Sequence, residues 1–337
     1  MNWLALDIGG ANIKAADGNG YAQSYGFPLW KQSPRLAQQL RTVIYEAPPS
    51  DHIAVTMTGE LADCFESKAV GVRFILDALH SAADNRHSRV YLVDGRLVAP
   101  QVALSSPHLA AASNWHALAR FATRFATAGT ALVIDVGSTT CDIIPLVNGQ
   151  PVASGTTDTQ RLVAGELVYT GVERSPICAV VSLVPYRGKS CPVVHEVFAT
   201  MRDAYLILEK LPEDPANTQT PDGKPAKRGF ARSRLARMIA ADDQEFNHKD
   251  AVAIAESAAD AQVSRLAAAI QQVSDTLPMP PQLAIISGQG EFLARDAIEF
   301  LQMTCPVVSL GNELGGPVSR CAPAHALAVL AREITGK

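Results

Sequence analysis

Residues 4–14 read LALDIGGANIK, a short apolar run through Asp7 to the pair Gly9-Gly10, followed by a second run that carries Lys14. This pattern is typical of two strands joined by a tight glycine turn. Glycines let backbone N–H groups approach phosphate oxygens, and Lys14 adds a compact positive charge. Asp7 ends the first run, where a carboxylate can hold Mg²⁺ directly or through water. Alone, the stretch equally fits an ordinary β-hairpin with a surface lysine.

The same pattern recurs later in the chain. Residues 130–143 read TALVIDVGSTTCDI, and Asp135 follows Asp7 by 128 residues, about one domain length. Internal similarity at that spacing indicates one duplicated unit rather than two unrelated hairpins. Hydroxyls of the second turn can contact phosphate, while Asp135 or Asp142 can join a metal shell. Two such turns facing each other across a cleft predict a polyphosphate site.

Three further motifs carry polar chemistry. Residues 56–63, TMTGELAD, place hydroxyls and Glu60 at the carboxyl end of a strand, where open α/β sheets bind ligands. Glu60 is a candidate base or ligand of a substrate amine, and equally a helix cap. Residues 286–294, ISGQGEFLA, can lie against a base or ribose, although a plain strand-to-helix turn has the same pattern. In residues 166–174, ELVYTGVER, Arg174 is a candidate diphosphate clamp.

These motifs give the predicted site. The residues predicted to bind phosphate or nucleotide are Gly9, Gly10, Asn12, Lys14, Gly137, Ser138, Thr139, Thr140, Gly288 and Gly290. Those predicted to bind substrate are Thr58, Glu166, Tyr169, Thr170 and Arg174. The predicted magnesium ligands, directly or through water, are Asp7, Asp135 and Asp142.

Composition narrows the function classes. The 29 basic and 33 acidic residues give a net charge of −4, with no excess of positive charge for nucleic acid or an anionic membrane. The six cysteines include no CxxC pair, which argues against a disulfide framework or zinc cluster and fits a reducing compartment. We expect a cytoplasmic protein that acts on small molecules, with no nucleic-acid or membrane partner, and a homo-oligomer is left open.

Strands that alternate with helices predict the α/β class. Among the predicted helices are 193–211 and 249–277, separated by a Pro-rich surface loop at 212–227. A basic cluster near that loop is expected to be a solvated helix face. It consists of Lys224, Lys227, Arg228, Arg232, Arg234 and Arg237.

Taken together, the motifs DIGGANIK, TMTGELADCF, DVGSTTCDI, ELVYTGVERSP and ISGQGEFLA resemble the actin/sugar kinase/Hsp70 ATPase superfamily. Within it, they are similar to the hydantoinase A/oxoprolinase-related branch. The similarity is greatest to its tetrahydromethanopterin-linked one-carbon-transfer proteins, which are related to the archaeal methanofuran biosynthesis synthase. The resemblance covers the chain from about residue 4 to 331.

The resemblance implies two actin-like (ribonuclease H-like) α/β domains with a ligand cleft between them. Domain I is expected at 1–128 and domain II at 129–321, with a final helix at about 322–337 that packs back on domain I. The implied reaction joins an aminomethylfuran-methyl diphosphate to a tyramine-type phenol as an aryl ether and releases diphosphate. Mg²⁺ is the implied cofactor, and Asp7, Asp135 or Glu60 would take the phenol proton.

Two other functions fit the same motifs. The same turns, together with Gly288 and Gly290, fit an ATP-dependent small-molecule kinase or a hydantoinase-like ATPase, so ATP is a second candidate ligand. A non-catalytic nucleotide-sensing or scaffold protein is the third alternative.

Overall fold

The computed structural model describes residues 2–336 and contains two mixed β-sheets, each built around one of the repeated hairpins. The strands of the first sheet are β1 Trp3–Ile8, β2 Asn12–Ala16, β3 Ala22–Gly26, β4 His52–Met57, β5 His87–Tyr91 and β6 Leu97–Val98. Those of the second are β7 Thr130–Val136, β8 Cys141–Val147, β9 Gln150–Pro151, β10 Leu167–Val168, β13 Leu283–Ser287 and β14 Val307–Ser309. A separate hairpin consists of β11 Leu183–Tyr186 and β12 Lys189–Pro192.

The helices lie on both faces of these sheets. Those before the second hairpin are α1 Leu29–Gln32, α2 Leu36–Glu46, α3 Lys68–Ala82, α4 Pro100–Ser105, α5 Pro107–Ala110 and α6 Asn114–Ala122. Those after it are α7 Asp158–Ala164, α8 Ile177–Val180, α9 Met201–Ile207, α10 Arg228–Arg237, α11 His248–Ser274, α12 Glu291–Phe300, α13 Leu310–Leu314, α14 Gly316–Arg320 and α15 Ala322–Thr335. Short 3-10 turns cover Ser33–Arg35 and Thr123–Phe125.

The two sheets share one topology. The first has the order β3-β2-β1-β4-β5-β6, and the second β10-β8-β7-β13-β14, with β9 also paired to β8. In the first, β1 pairs antiparallel with β2 and parallel with β4. In the second, β7 pairs antiparallel with β8 and parallel with β13. This repeated order confirms the predicted fold class of two actin-like α/β units with a cleft between them.

Helices α6 and α15 pack against each other between the two sheets. Leu118 of α6 and Ala326 of α15 belong to an apolar cluster with Val133 of the second sheet. Ala117 and Leu327, from the same helices, belong to a cluster with residues of the first sheet. The buried layer of two helices therefore joins the sheets and sets the distance between the two hairpin turns.

The predicted helix at 193–211 is wrong in its first half. Helix α9 begins only after Thr200, whose side chain and that of Asp203 form a reciprocal capping box. Before it, the Val194 N–H donates to the Met238 carbonyl at 2.9 Å, which fixes that segment outside any helix. The Thr-x-x-Asp pattern is a helix-start signal, so the true boundary was present in the sequence.

The basic cluster is also not simply a solvated face. The Arg234 side chain is buried, with Nε and Nη2 donating to Asp203 Oδ1 at 2.8 and 2.7 Å. Its Nη1 donates to Asp222 Oδ1 at 2.9 Å, which anchors the loop at 212–227. Arg228 is exposed, as predicted, and pairs with an acidic side chain. Separately, none of the helices within residues 2–336 has the length and apolarity that a membrane span requires.

Candidate active site

Both glycine turns line one cleft of about 490 Å³. The predicted site residues that the structure brings to this cleft are Asp7, Gly9, Gly10, Asn12, Lys14, Thr58, Asp135, Gly137, Ser138, Thr139, Thr140, Asp142, Tyr169 and Arg174. The predicted residues that do not line it are Glu60, Glu166, Thr170, Gly288 and Gly290. The roles assigned to all of these residues stay predictions.

The two turns have the same backbone frame. The Gly9 N–H donates to the Asn12 carbonyl at 2.9 Å, and the Gly137 N–H donates to the Thr140 carbonyl at the same distance. Each turn therefore folds back on itself three residues later. The residues between these hydrogen-bonded positions line the cleft, and their binding of phosphate stays a prediction.

Neighbouring segments hold each turn in place. The Leu29 N–H donates to the Gly10 carbonyl at 2.9 Å, so helix α1 is attached to the first turn. The Arg174 N–H donates to the Ser138 carbonyl at 2.9 Å, which attaches the loop after β10 to the second turn. This loop approaches so closely that a Cβ on Gly171 would lie 2.4 Å from the Thr139 nitrogen.

Four charged residues converge at the floor of the cleft. Asp7 lies opposite Lys14 in the β1–β2 pairing, and Asp135 lies opposite Asp142 in the β7–β8 pairing. Burial raises the pKa of Asp7, against the opposing charge of Lys14. Desolvation lowers the pKa of Lys14, but the carboxylates of Asp7 and Asp135 outweigh it and hold the pKa above its usual value. Lys14 is therefore a cation at neutral pH, held among the carboxylates.

The carboxylates of Asp135 and Asp7 differ in their hydrogen bonding. Burial raises the pKa of Asp135 to about 6, and Lys14 and the Ser287 hydroxyl oppose this rise. That hydroxyl donates to Asp135 Oδ1 at 2.5 Å. Asp7 Oδ1 is buried and has no hydrogen-bond partner among residues 2–336. Asp7 thus carries a buried oxygen that no described residue satisfies.

Arg161 is a site residue that sequence reasoning missed. Its guanidinium is buried in the cleft wall, donates to Asp142 Oδ1 at 2.8 Å and to the Glu166 carbonyl at 2.9 Å. It also lies over the Trp115 ring, with its central carbon 4.2 Å from the ring centroid. Burial raises the pKa of Asp142, although Arg161 opposes this rise. A capping box at Thr157 and Gln160 marks helix α7, but nothing in the sequence marks Arg161 itself.

A second correspondence extends the duplication. Residues 56–60 read TMTGE and residues 287–291 read SGQGE, 231 residues later. Gly59 and Gly290 are equivalent, since each donates its N–H at 3.0 Å to the carbonyl that ends the preceding hairpin strand, Ile8 or Val136. The equivalence makes Glu60 the counterpart of Glu291.

Glu60 and Glu166 are both buried beside the cleft wall rather than in it. Neither oxygen of Glu60 has a hydrogen-bond partner in the described part of the chain, and burial raises the pKa of Glu60 to about 8. The carboxylate of Glu166 accepts the N–H groups of Ser154 and Gly155, so it stabilises a loop.

The remaining predicted residues lie outside the cleft lining and hold neighbouring segments in place. They are Thr170, Gly288 and Gly290. The Thr170 hydroxyl binds the Gln262 amide at 2.6 Å in a buried network. Gly288 has a φ of +89°, and a Cβ there would lie 2.3 Å from the Val136 carbonyl. These glycines let the β13–α12 turn pack directly against β7.

The donor set fits Mg²⁺ held by few protein ligands. Within residues 2–336, no group of three or more His, Cys, Asp or Glu side chains is arranged to hold a metal ion. Mg²⁺ commonly keeps several waters and binds one or two carboxylates together with substrate phosphates. The unpartnered oxygen of Asp7, near Asp135, is the kind of donor such an ion requires.

Three contacts cross the cleft between the two units. Lys68 Nζ and Asp158 Oδ2 form an ion pair at 2.8 Å. The Arg174 guanidinium carbon lies 4.8 Å from the Trp30 ring centroid, and the Arg161–Trp115 contact lies deeper.

Comparison with known proteins relates the chain to one family. Residues 51–334 match the model of the hydantoinase/oxoprolinase family. A (4-{4-[2-(gamma-L-glutamylamino)ethyl]phenoxymethyl}furan-2-yl)methanamine synthase from Methanocaldococcus jannaschii is 32% identical over 97% of this chain and 96% of that protein. The synthase of the same name from Methanococcus vannielii is 29% identical over 59% of this chain and 89% of that protein. Among solved structures, an inorganic polyphosphate/ATP-glucomannokinase from Arthrobacter sp. strain KM is similar with a TM-score of 0.45 and 14% identity, covering 98% of this chain and 99% of that chain.

Proposed function

Because the chain belongs to the hydantoinase/oxoprolinase family, as its motifs predict, we propose that it is a synthase of methanofuran-type cofactor assembly. In this proposal it forms the aryl ether between a furan-methanamine and a tyramine-type phenol, the linkage named in its Methanocaldococcus jannaschii relative. The observation that carries the proposal is the convergence of Asp7, Lys14 and Asp135 beneath two glycine turns in one cleft.

The donor in this proposal is a furan whose methyl carbon carries a diphosphate. The phenol oxygen forms a bond to that carbon, and the bond from carbon to diphosphate oxygen breaks. Diphosphate leaves with the electron pair, and the phenol proton passes to a carboxylate of the protein. Atoms and charge balance without a nucleotide.

The cleft residues fit these tasks. The N–H groups of both turns and the Lys14 ammonium would bind the diphosphate and stabilise the charge that develops as it leaves. Asp7 and Asp135 would hold Mg²⁺, which when bound neutralises part of the diphosphate charge. Asp7, Asp135 or Glu60 would accept the proton, and of these Asp7 and Asp135 line the cleft.

The test is an assay of purified protein with Mg²⁺ that measures diphosphate release and ether formation by mass spectrometry. We expect equal amounts of diphosphate and ether when the furan diphosphate and tyramine are both present, and none with either alone. Asp7→Asn should abolish both products, whereas Asp77→Asn, at an exposed carboxylate of α3, should leave both unchanged. Hydrolysis of ATP with no ether formed would contradict the proposal and favour the ATP-dependent alternative.

A further inference from the structure

The cleft has charged residues at its floor, and large apolar side chains lie beside the exposed Asp63 and Arg174 in its lining. Besides the carboxylates and Lys14, its lining includes Trp30, Leu61, Ala62, Leu167 and Tyr169. Leu61 is 57% exposed and Tyr169 is 66% exposed, so large apolar side chains face solvent at the rim. A ligand that fits this arrangement has an anionic end and a flat apolar end.

Trp30 is the rim side chain most firmly attached to the site. It follows Leu29, which is fully buried and whose N–H donates to the carbonyl of Gly10 in the first turn. Leu29 also packs against Gly59, where a Cβ would lie 2.8 Å from Leu29 Cδ2. The position of the Trp30 backbone is therefore fixed relative to the phosphate-binding turn.

One face of the Trp30 ring is covered by a flat, solvent-exposed group. The Arg174 guanidinium lies 4.8 Å from the ring centroid, and its side chain is otherwise exposed. A planar cation over an indole is held by about 0.5–1 kcal/mol at an exposed site. A flat aromatic ring can replace it at small cost.

We propose that Trp30, together with Leu61 and Tyr169, is the binding subsite for the aromatic ring of the phenol acceptor. This inference rests on the proposed function. The attacking oxygen must approach the furan methyl carbon from the side opposite the leaving diphosphate. With the diphosphate on the charged floor, the phenol ring lies toward the mouth, where these three side chains are.

The experiment measures KM separately for the acceptor tyramine and for the furan diphosphate. Trp30→Ala should raise the KM for tyramine about tenfold, because ring stacking and buried area are both lost, while the KM for the diphosphate changes less than about twofold. Trp30→Phe keeps a ring and should recover most of the affinity. Tyr45→Leu is the matched control, since Tyr45 is 89% exposed on α2 and does not line the cleft.

An equal rise in both KM values, or no rise with Trp30→Ala, would overturn the subsite. If the wild-type protein forms no ether, the proposed function fails, and tyramine binding still decides the subsite. Trp30 is half-buried whereas Trp3 and Trp115 are buried, so tyramine should change the fluorescence of Trp30 in particular. A change in wild type that is lost in Trp30→Phe supports the subsite, and an equal change in both proteins contradicts it.

Discussion

Asp7 faces Lys14 across the first hairpin, whereas Asp135 faces Asp142 at the equivalent place in the second. The backbone frame of the two turns is the same, down to the 2.9 Å hydrogen bond that closes each. The side chains opposite the two aspartates differ. Lys14 contributes a cation to the cleft, while Asp142 contributes a carboxylate that the buried Arg161 already neutralises in part.

This difference shows how a duplicated frame became an asymmetric site. Both turns keep the N–H groups that can bind an anion, but only the first turn's own hairpin adds a cation to the floor. Arg161, the cation of the second unit, is committed to Asp142, the Glu166 carbonyl and the Trp115 ring. The first turn should therefore contribute more to stabilising the leaving diphosphate.

Removing the Lys14 cation should have the largest effect on activity. Lys14→Met should lower kcat/KM for ether formation by about 10²–10³-fold, the usual loss for one group that stabilises developing charge. Lys14→Arg should retain part of the activity because the charge is kept. Diphosphate release under saturating acceptor gives the rates, and circular dichroism checks that the variants fold. Activity of Lys14→Met within about threefold of wild type would contradict the larger contribution of the first turn.

The second difference is between Glu60 and Glu291. Glu291 accepts three hydrogen bonds, from Ser309 Oγ at 2.5 Å, from Gly311 N–H at 2.7 Å and from Ser319 Oγ at 2.8 Å. Glu60 holds the equivalent position after Gly59 and has no such partners within residues 2–336. One carboxylate therefore closes a structural network, whereas the other is a buried group that burial favours in its protonated form.

Glu291→Gln should destabilise the protein by about 2–3 kcal/mol, because an amide has one acceptor oxygen and leaves a buried hydroxyl or N–H unpaired. Urea unfolding at neutral pH measures the change. Glu299→Gln is a suitable control, since Glu299 is exposed on the same helix, α12. Equal stability of Glu291→Gln and wild type would show that the network is not a stabilising one.

Glu60→Gln should instead stabilise the protein, by an amount that depends on pH. The pKa of Glu60 rises from 4.5 to about 8 on folding because of burial. The unfolded chain therefore loses its proton first, and wild type loses stability as pH rises from about 4.5 to 8. Glu60→Gln lacks this loss and should be more stable than wild type near pH 8 by on the order of 2–4 kcal/mol. Urea unfolding at about pH 5 and pH 8 tests this, and a pH-independent difference would contradict it.

The parts of the site that lie in the duplicated turns could be predicted from sequence, because Asp-x-Gly after an apolar run is a local pattern. Asp7, Lys14 and Asp135 all line the cleft. Arg161 and Trp30 could not be predicted in this way, since their helices reach the cleft only through tertiary packing. Glu166 lies outside the cleft lining, and its side chain accepts backbone N–H groups that no sequence pattern indicates.

We expect the smallest effect, on stability, from alanine substitutions at Gly9 and Gly137, the equivalent glycines of the two turns. A Cβ on Gly9 would lie 2.9 Å from the Asn12 carbonyl, whereas a Cβ on Gly137 would lie no closer than 3.4 Å to the Thr140 carbonyl. Gly9→Ala should therefore cost about 1–2 kcal/mol of stability, while Gly137→Ala should cost less than about 0.5 kcal/mol. Urea midpoints of the two variants measure the difference directly. Equal midpoints would mean that the first turn relaxes around a methyl group, and that the two turns differ in charge but not in rigidity.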